Sequence, residues 1–229
     1  MTASFVIAPP PQAAIAVQGE TSKFPVRRVW CVGRNYLEHI RELGNDERNP
    51  PFFFAKHADM IVPDGSEIPY PTLTKDMQHE VELVVALKSG GLNISPEKAL
   101  DHVWGYGVSV DLTRRDLQTI SRKKEQPWEI GKSFDQSAPC SALKPASEIG
   151  HPAKARIWLK VNGETRQDGD LEQMIWNTAE IIAKLSQQVS VGAGDIIMTG
   201  TPAGVAALVK GDKIECGVDG IGTMKCAIV

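Results

Sequence analysis

A continuous apolar run at residues 83–87 follows directly on two carboxylates, Glu80 and Glu82. Apolar runs of this length without polar alternation are typical of β-strands that are buried on both faces. Alternate side chains of a strand point to the same side, so the pattern predicts that Glu80 and Glu82 share one face, with Cα atoms roughly 6.5–7 Å apart. His79, one position earlier, is expected on the opposite face.

The same pattern of polar and apolar positions predicts a strand-rich chain with few helices. Predicted strands cover residues 27–33, 52–54, 104–110, 155–161, 195–200, 213–216 and 223–229, and predicted helices cover residues 36–43, 96–103 and 113–124. The Asn162-Gly163 pair after one strand is a strong signal for a two-residue hairpin turn. Strands and helices do not alternate regularly, so the pattern indicates an α+β fold.

Local signals refine these elements. Ser95 is a predicted N-cap, and the residues from Thr113 to Asp116 have the form of a capping box. Asp170 is the predicted cap of the longest helix, whose apolar face runs to Leu185. Residues 130–134 resemble a strand. Residues 1–26 are rich in proline and alanine, which predicts an irregular or strand-containing N-terminal arm before a single catalytic domain at residues 27–229.

Composition excludes several classes of function. The chain has 229 residues, 42% of them hydrophobic, and a formal charge of −3, which argues against nucleic acid or an anionic membrane as partner. Its four cysteines show no Cys-x-x-Cys spacing and are expected to be reduced. The N-terminus does not resemble a signal peptide, and no apolar run approaches the ~20 residues that span a bilayer, so we expect a cytoplasmic protein.

Three carboxylates suggest a metal site. Glu80 and Glu82 could hold one cation between them, and Asp111 lies where a predicted apolar strand ends and a polar helix begins, the usual place for a core to open into a pocket. Without a nearby Cys-His set, these oxygen donors favour Mg²⁺, with Mn²⁺ or Ca²⁺ as alternatives. The competing interpretation is a solvated strand entrance at Glu80 and Glu82 and an ordinary helix N-cap at Asp111.

Further residues could take part in catalysis or substrate binding. His39 and Glu42 lie three apart on a predicted helix, where a carboxylate could orient a histidine as general base, although the pair could equally form a solvated face. Lys132 could be desolvated beside anions and stabilise a developing enolate, or it could be a surface lysine. The turn around Thr201 offers backbone N–H groups and a hydroxyl to a carboxylate, and it lacks the sequence of a nucleotide-binding P-loop.

Five segments together resemble the fumarylacetoacetate hydrolase family, above all its small single-domain acylpyruvate and fumarylpyruvate hydrolases. The segments are Gly33-Arg34-Asn35-Tyr36 with His39 and Glu42, His79-Glu80-Val81-Glu82-Leu83, Asp111-Leu112-Thr113 with Arg115, Asp116 and Gln118, Gly131-Lys132-Ser133-Phe134, and Thr199-Gly200-Thr201-Pro202-Ala203-Gly204-Val205. They occur in the order found in the family. One departure is His57, where relatives commonly have proline, and this could alter the pocket rim.

The resemblance implies a mixed β-rich roll, a homodimer and Mg²⁺ bound by Glu80, Glu82 and Asp111. It also implies that His39 and Glu42 activate water, that Lys132 is an electrostatic partner of the substrate, and that Thr201 contacts a carboxylate. Arg34, Arg115 and Gln118 match further pocket positions of the family.

These features predict a hydrolase that cleaves a carbon–carbon bond of 2,4-diketo acids, with fumarylpyruvate, giving fumarate and pyruvate, as the leading substrate. One alternative is oxaloacetate decarboxylation or an isomerase and decarboxylase reaction of a ring-cleavage pathway on the same scaffold. Another is a non-catalytic, metal-stabilised assembly protein.

Overall fold

The computed structural model of the protein describes residues 4–36 and 49–229. Tyr36 pairs with Met174 in an isolated β-bridge. The remainder of the helix predicted at residues 36–43 lies outside the described residues, and so do His39 and Glu42.

Short strands dominate the described part of the chain. The strands are β1 (Ala14–Ala16), β2 (Lys23–Pro25), β3 (Arg28–Gly33), β4 (Phe52–Lys56), β5 (Ile61–Pro63), β6 (Glu67–Ile68), β7 (Met77–Gln78), β8 (Val81–Leu87), β9 (Val103–Val110), β10 (Thr113–Arg114), β11 (Ala138–Cys140), β12 (Lys144–Pro145), β13 (Arg156–Val161), β14 (Glu164–Asp170), β15 (Asp195–Met198), β16 (Ala207–Leu208), β17 (Lys213–Val218) and β18 (Gly222–Ile228). The α-helices are α1 (Pro96–Ala99), α2 (Arg115–Lys123), α3 (Glu129–Lys132), α4 (Ala146–Ile149) and α5 (Thr178–Gln188). Turns of 3₁₀-helix cover Ala58–Met60, Leu100–His102 and Leu171–Gln173.

Two sheets of mixed direction form the body of the fold. The larger, of eight strands, has the order β4-β3-β15-β8-β9-β11-β5, with β12 paired to β9. The smaller, of five strands, has the order β14-β13-β17-β18-β6. Strand β15 runs parallel to β3 and antiparallel to β8, and β8 runs antiparallel to β9. The predicted α+β class and mixed β-rich roll with a few short helices are confirmed.

Strand β8 is buried on both faces, as its sequence predicts. Val81, Leu83 and Val85 belong to a hydrophobic core that also contains residues of β13, β17 and β18. Val84 and Ala86, on the opposite face, belong to a second core that contains residues of β3 and β15. The even-numbered face of the strand therefore changes from carboxylates at its start to apolar side chains further along.

The N-terminal arm contains two strands. Strands β1 and β2 pair antiparallel. Ile15, Val17 and Phe24 are buried and belong to the same core as Val84 of β8. The arm thus packs on the even-numbered face of β8, in the core that contains Val84 and Ala86, while its separation from the catalytic domain at residue 27 stays a prediction.

The hairpin signal is confirmed, because Asn162 and Gly163 connect β13 to β14 and have φ angles of 53° and 85°. Both values lie in the left-handed region that a two-residue hairpin turn requires. The helix predicted at residues 96–103 is a single turn, α1, followed by a 3₁₀ turn. No helix among residues 4–36 and 49–229 is long and apolar enough to cross a membrane.

Three local predictions are wrong, and in the first of them strand pairing overrides a local capping signal. Thr113 does not cap a helix, since it lies in β10 opposite Gln78 of β7. Asp170 forms a capping box on the 3₁₀ turn that follows it, and Asn177 is the residue that caps α5. Residues 129–132 form helix α3 rather than a strand.

Candidate active site

The register between β8 and β9 brings three carboxylates together. Val81 lies opposite Val110, and the backbone N–H of Asp111 donates to the carbonyl of Glu80 at 2.8 Å. Asp111 therefore continues the ladder directly across from Glu80. One carboxylate oxygen each from Glu80, Glu82 and Asp111 lie within 4.8 Å of one another.

All three carboxylates are buried. The exposed fractions of Glu80, Glu82 and Asp111 are 6%, 2% and 0%. A solvated strand entrance is thereby excluded. Asp111 is also not the N-cap of α2, because that helix begins at Arg115. Since buried carboxylates are costly without compensation, the cluster needs positive charge nearby.

Lys132 supplies part of that charge. Its Nζ donates to Glu80 Oε2, Asp111 Oδ2 and Thr113 Oγ1, each at 2.7 Å. An ammonium has three donors, so all of them have protein acceptors. Burial alone would lower the pKa of Lys132, but attraction by Asp111 and Glu80 outweighs it and raises the pKa above its usual value. The interpretation of Lys132 as a surface lysine is wrong.

A second buried lysine, Lys56, lies on the other side of Asp111. Its Nζ is 2.9 Å from Asp111 Oδ1, in an ion pair without hydrogen-bond geometry. It also donates to Ser137 Oγ at 3.0 Å and to the carbonyl of Lys132. Sequence reasoning missed Lys56, whose only signal is a lysine at the end of the apolar strand β4.

Arg115 forms its hydrogen bonds at the inner end of the site. It is hydrogen-bonded to a carboxylate oxygen of Glu80, to Gln78 Oε1 at 2.8 Å and to Gln118 Oε1 at 2.5 Å. Burial opposes ionisation of Glu80, but Lys132 and Arg115 outweigh it and lower the pKa of Glu80 to about 2. Glu80 is therefore ionised at neutral pH.

Glu82 is the carboxylate without a cation among the described residues. Its Oε2 accepts a hydrogen bond from the backbone N–H of Gly200 at 2.8 Å. Burial, with repulsion from Asp111 and Glu80, raises the pKa of Glu82 well above its usual value. One Glu82 oxygen accepts no hydrogen bond from a described residue, and this oxygen, the buried position and the oxygen-only donor set fit a divalent cation such as Mg²⁺ or Mn²⁺. Because each carboxylate has about four lone-pair positions, Glu80 and Asp111 can bind a cation while keeping their lysine contacts.

The backbone conformation at position 200 requires glycine. Its φ is 97°, and a Cβ there would lie 2.8 Å from the Cβ of Asn35. Asn35 Nδ2 in turn donates to the carbonyls of Thr199 and Trp176 at 2.8 and 2.9 Å. The turn that follows β15 and contains Thr201 is thus held near the end of β3 by Asn35 and at the start of β8 by the bond from Gly200 to Glu82.

Gln167 of β14 orients Thr201. The Oε1 of Gln167 accepts from the backbone N–H of Val81 at 3.1 Å, and its Nε2 donates to the carbonyl of Pro202 at 2.9 Å and to Thr201 Oγ1 at 2.8 Å. The N–H of Val81 can only donate and the carbonyl of Pro202 can only accept, so these two contacts assign the oxygen and the nitrogen of the Gln167 side-chain amide. Thr201 Oγ1 is therefore an acceptor from Gln167, and its own hydrogen is free to donate into the cavity.

His79 lies outside the carboxylate cluster. Its Nδ1 is 2.9 Å from Gln167 Oε1, which only accepts, so Nδ1 carries the proton. Burial lowers the pKa of His79 and favours the neutral ring. Gln167 therefore links His79, the start of β8 and the Thr201 turn, a role that sequence reasoning missed because it depends on contact between β14 and β8.

Replacing Gln167 with leucine is expected to destabilise the protein by about 1–3 kcal/mol, because the N–H of Val81 and the hydroxyl of Thr201 lose a buried partner. At this chain length the melting temperature should fall by about 2–4 °C per kcal/mol. We also expect KM for a 2-oxo acid to rise more than kcat falls, because the direction of the Thr201 hydroxyl is no longer set. Thermal unfolding and steady-state kinetics measure both effects.

Gln187→Leu, at an exposed position of α5, is the matched control. Equal KM values for Gln167→Leu and the unmodified protein would remove the positioning role of Gln167.

The four predicted substrate-binding residues line one cavity together with metal-site residues. Its volume is about 330 Å³, and its lining includes Glu80, Glu82, Lys132, Arg34, Arg115, Gln118 and Thr201. Asp111 lies fully buried behind Lys132. His57 is exposed, and it is not among the residues that line the cavity. The predicted dyad of His39 and Glu42 lies outside the described residues and stays a prediction.

A match between the sequence and a family model identifies the family of this chain. A family model described as fumarylacetoacetate (FAA) hydrolase C-terminal matches residues 28–229. The chain belongs to the fumarylacetoacetate hydrolase family. As a member of this family it is an enzyme with a divalent metal site at Glu80, Glu82 and Asp111.

Relatives within the fumarylacetoacetate hydrolase family have more than one activity. The crystal structure of fumarylpyruvate hydrolase from Pseudomonas aeruginosa in complex with Mn²⁺ and pyruvate is 47% identical, covers 99% of each chain and has a TM-score of 0.97. Mitochondrial oxaloacetate tautomerase FAHD1 of Rattus norvegicus is 40% identical over 208 residues, covering 88% of this chain and 94% of that protein. Mitochondrial oxaloacetate decarboxylase of Dictyostelium discoideum is 36% identical over 198 residues, covering 86% and 91%.

Proposed function

We propose that this protein hydrolyses acylpyruvates in a reaction that depends on a divalent metal ion, with fumarylpyruvate as the leading substrate. The observation that carries the proposal is the likeness, over 99% of both chains, to a fumarylpyruvate hydrolase whose structure contains Mn²⁺ and pyruvate. The cavity that Glu80 and Glu82 line also contains Thr201, so a metal site and a hydroxyl donor for a substrate carboxylate lie in one pocket. We expect Mg²⁺ as the resident ion, with Mn²⁺ or Ca²⁺ as alternatives.

The residues of the chain have complementary tasks in this reaction. A divalent cation held by the three carboxylates would supply Lewis-acid stabilisation of negative charge. The Thr201 hydroxyl donates to the carboxylate of the 2-oxo acid end and orients it. Lys132 helps to keep Glu80 ionised and adds positive charge to the site, where the leaving enolate develops. A direct hydrogen bond from Lys132 to the substrate requires that it release one of its three present acceptors.

Hydrolysis needs an activated water. We propose that His39, oriented by Glu42, takes a proton from water as general base. The resulting hydroxide adds to the C4 carbonyl of the 2,4-diketo acid to give a tetrahedral alkoxide. Collapse of this alkoxide breaks the C3–C4 bond and expels the enolate of pyruvate, which takes up a proton at C3. The products are pyruvate and a carboxylic acid that contains one oxygen from water.

A second candidate is conversion of oxaloacetate, by decarboxylation or tautomerisation. The specific observation in its favour is the 40% identity to oxaloacetate tautomerase FAHD1 over 88% of this chain. Such reactions use a metal ion and proton transfer but no attack of water on carbon. The isomerase and decarboxylase reactions of ring-cleavage pathways have the same requirement. The relatives named above are enzymes, which argues against a non-catalytic assembly protein.

The decisive experiment is product analysis in ¹⁸O-labelled water. With Mg²⁺, the purified protein is expected to convert fumarylpyruvate to pyruvate and fumarate that carries label beyond simple carbonyl exchange. Excess chelator is expected to stop the reaction, and added Mg²⁺ or Mn²⁺ to restore it. Turnover of oxaloacetate with no cleavage of any acylpyruvate would overturn the proposal in favour of the second candidate, and full activity in chelator would remove the metal from the mechanism.

We also propose a homodimer and a cytoplasmic location, without a nucleic-acid or membrane partner. These proposals rest on the sequence, through its resemblance to the family, its formal charge of −3 and its lack of a long apolar run. Light scattering coupled to size-exclusion chromatography measures the oligomeric state directly.

A further inference from the structure

One face of helix α2 forms a wall of the cavity. Arg115, Gln118, Thr119 and Arg122 all line it, and their spacing of three, four and seven residues places them on one side of a helix. With a rise of 1.5 Å per residue, the Cα atoms of Arg115 and Arg122 are about 10 Å apart along the helix axis. The helix therefore presents one arginine to the inner end of the cavity and another to its mouth.

The two arginines of α2 differ in their partners. Arg115 is paired with Glu80 at the metal end. Arg122 is exposed, and neither it nor Arg34, which also lines the cavity, forms an ion pair with a described carboxylate. Burial, together with the positive charge of Arg122, lowers the pKa of Arg34. Two guanidinium groups thus lie near each other at the cavity, and neither is paired with a carboxylate of the described residues.

The backbone of Arg34 supports a role beyond packing. Its φ is 61°, in the left-handed region that residues other than glycine rarely adopt. Such conformations persist where the surrounding structure enforces them, and they cluster at ligand sites. The guanidinium of Arg34 lies 5.8 Å from the centre of the Phe52 ring.

Aromatic side chains lie beside the two arginines. Phe54 and Trp128 line the cavity, and the Trp128 ring centre is 4.9 Å from that of Phe52 and 5.9 Å from that of Phe54. An aromatic wall of this kind favours a flat apolar segment. The cavity therefore combines a metal end, an aromatic wall and a cationic mouth.

We propose that Arg34 and Arg122 form a subsite for a second carboxylate at the far end of the substrate. The pocket then selects seven-carbon 2,4-diketo diacids over acylpyruvates with an uncharged acyl group. Oxaloacetate has only two carbons between its carboxylates, so it is too short to reach the metal end and the cationic mouth together. This inference rests on the proposed function, whose substrate it makes more specific.

The test uses ligands that the proposed reaction cannot cleave. 2-Oxoheptanedioate has the 2-oxo acid end and a distal carboxylate but no 4-keto group, and 2-oxoheptanoate differs from it by lacking the distal carboxylate. Titration calorimetry on the Mn²⁺-loaded protein is expected to show about tenfold or more tighter binding of the diacid. Arg122→Gln is expected to remove most of this preference while leaving the affinity for the monoacid nearly unchanged, and Arg34→Gln is expected to remove most of the preference as well.

Lys123→Gln is the matched control, since Lys123 is exposed on α2 beside Arg122 and does not line the cavity. Its preference for the diacid should equal that of the unmodified protein. Equal affinities of the unmodified protein for both ligands, or a preference that survives in Arg122→Gln, would overturn the subsite.

Binding and turnover separate the two proposals. If the diacid is preferred through Arg122 but fumarylpyruvate is not hydrolysed, the proposed reaction fails and the subsite stands. If fumarylpyruvate is hydrolysed without any preference for the diacid, the reaction stands and the subsite fails.

Discussion

Replacing Glu82 with glutamine is expected to remove metal-dependent turnover and, at the same time, to stabilise the metal-free protein. Loss of one of three carboxylate ligands weakens a contribution worth several kcal/mol, so kcat/KM should fall by about two orders of magnitude or more. The gain in stability has the opposite origin. Glu82 is a buried carboxylate without a described cation, and glutamine can keep the hydrogen bond from Gly200 while removing the charge.

The gain should depend on pH. Because burial, with repulsion from Asp111 and Glu80, raises the pKa of Glu82, the folded metal-free protein holds this proton more tightly than the unfolded chain does. The stabilising effect of the proton is complete below the ordinary pKa of 4.5 and is lost as the pH rises towards the pKa of the folded state. Glu80 behaves oppositely: its pKa is lowered to about 2, so its contribution is lost as the pH falls towards that value.

Thermal unfolding in chelator, between about pH 5 and pH 8, measures the effect. The melting temperature of Glu82→Gln relative to the unmodified protein should rise with pH. Glu148→Gln, at an exposed position of α4, should follow the unmodified protein throughout. A constant difference between Glu82→Gln and the unmodified protein across this pH range would show that Glu82 does not titrate as its surroundings predict.

Replacing Lys132 with methionine is expected to destabilise the metal-free protein by about 3–5 kcal/mol, because removal of one partner leaves buried charge uncompensated. For a chain of this length the melting temperature should fall by about 10 °C. With saturating Mg²⁺ the turnover should still fall about a hundredfold or more, because positive charge is lost beside the developing enolate. Methionine fills similar volume, so the main change is the loss of the ammonium and its three hydrogen bonds.

The response to added cation distinguishes charge from packing. Without Lys132, less positive charge repels an incoming cation, so Mg²⁺ should raise the melting temperature of Lys132→Met more than that of the unmodified protein. Lys124→Met, on the exposed end of the α2 region, should show neither the loss nor the larger response. An equal response to Mg²⁺ in Lys132→Met and the unmodified protein would mean that Lys132 does not balance the carboxylate cluster.

The features that sequence predicts well are those set by local periodicity and turn chemistry. The unbroken apolar run of β8 requires two cores to bury it, and both are present. Asn162 and Gly163 form the expected turn because few other residues tolerate positive φ at two successive positions. Thr113 shows the limit, since a short local capping signal was overridden by pairing between β10 and β7.

The candidate site was predictable in residue type but not in its contacts. Sequence placed Glu80 and Glu82 on one face of a strand, yet the position of Asp111 depends on the register between β8 and β9. The buried Lys56 and the link through Gln167 come from β4 and β14, far along the chain from β8, and no local pattern marks them. The sequence left two interpretations of Lys132 open and the family resemblance favoured the electrostatic one, whereas its three acceptors are visible only in the structure.

The position of β8 has a consequence for the choice of ion. This strand lies between β15 and β9 and is buried on both faces, so we expect its backbone to open only with global unfolding. Glu82, which it carries, and Glu80, just before it, therefore have little freedom to adjust their spacing. Mg²⁺ demands near-ideal octahedral geometry at short distances, whereas Ca²⁺ accepts longer and more variable ones. We therefore expect the rigid backbone of β8 to make the site select cations by ionic radius. Adjustment to a particular cation would come from Asp111 and from bound water.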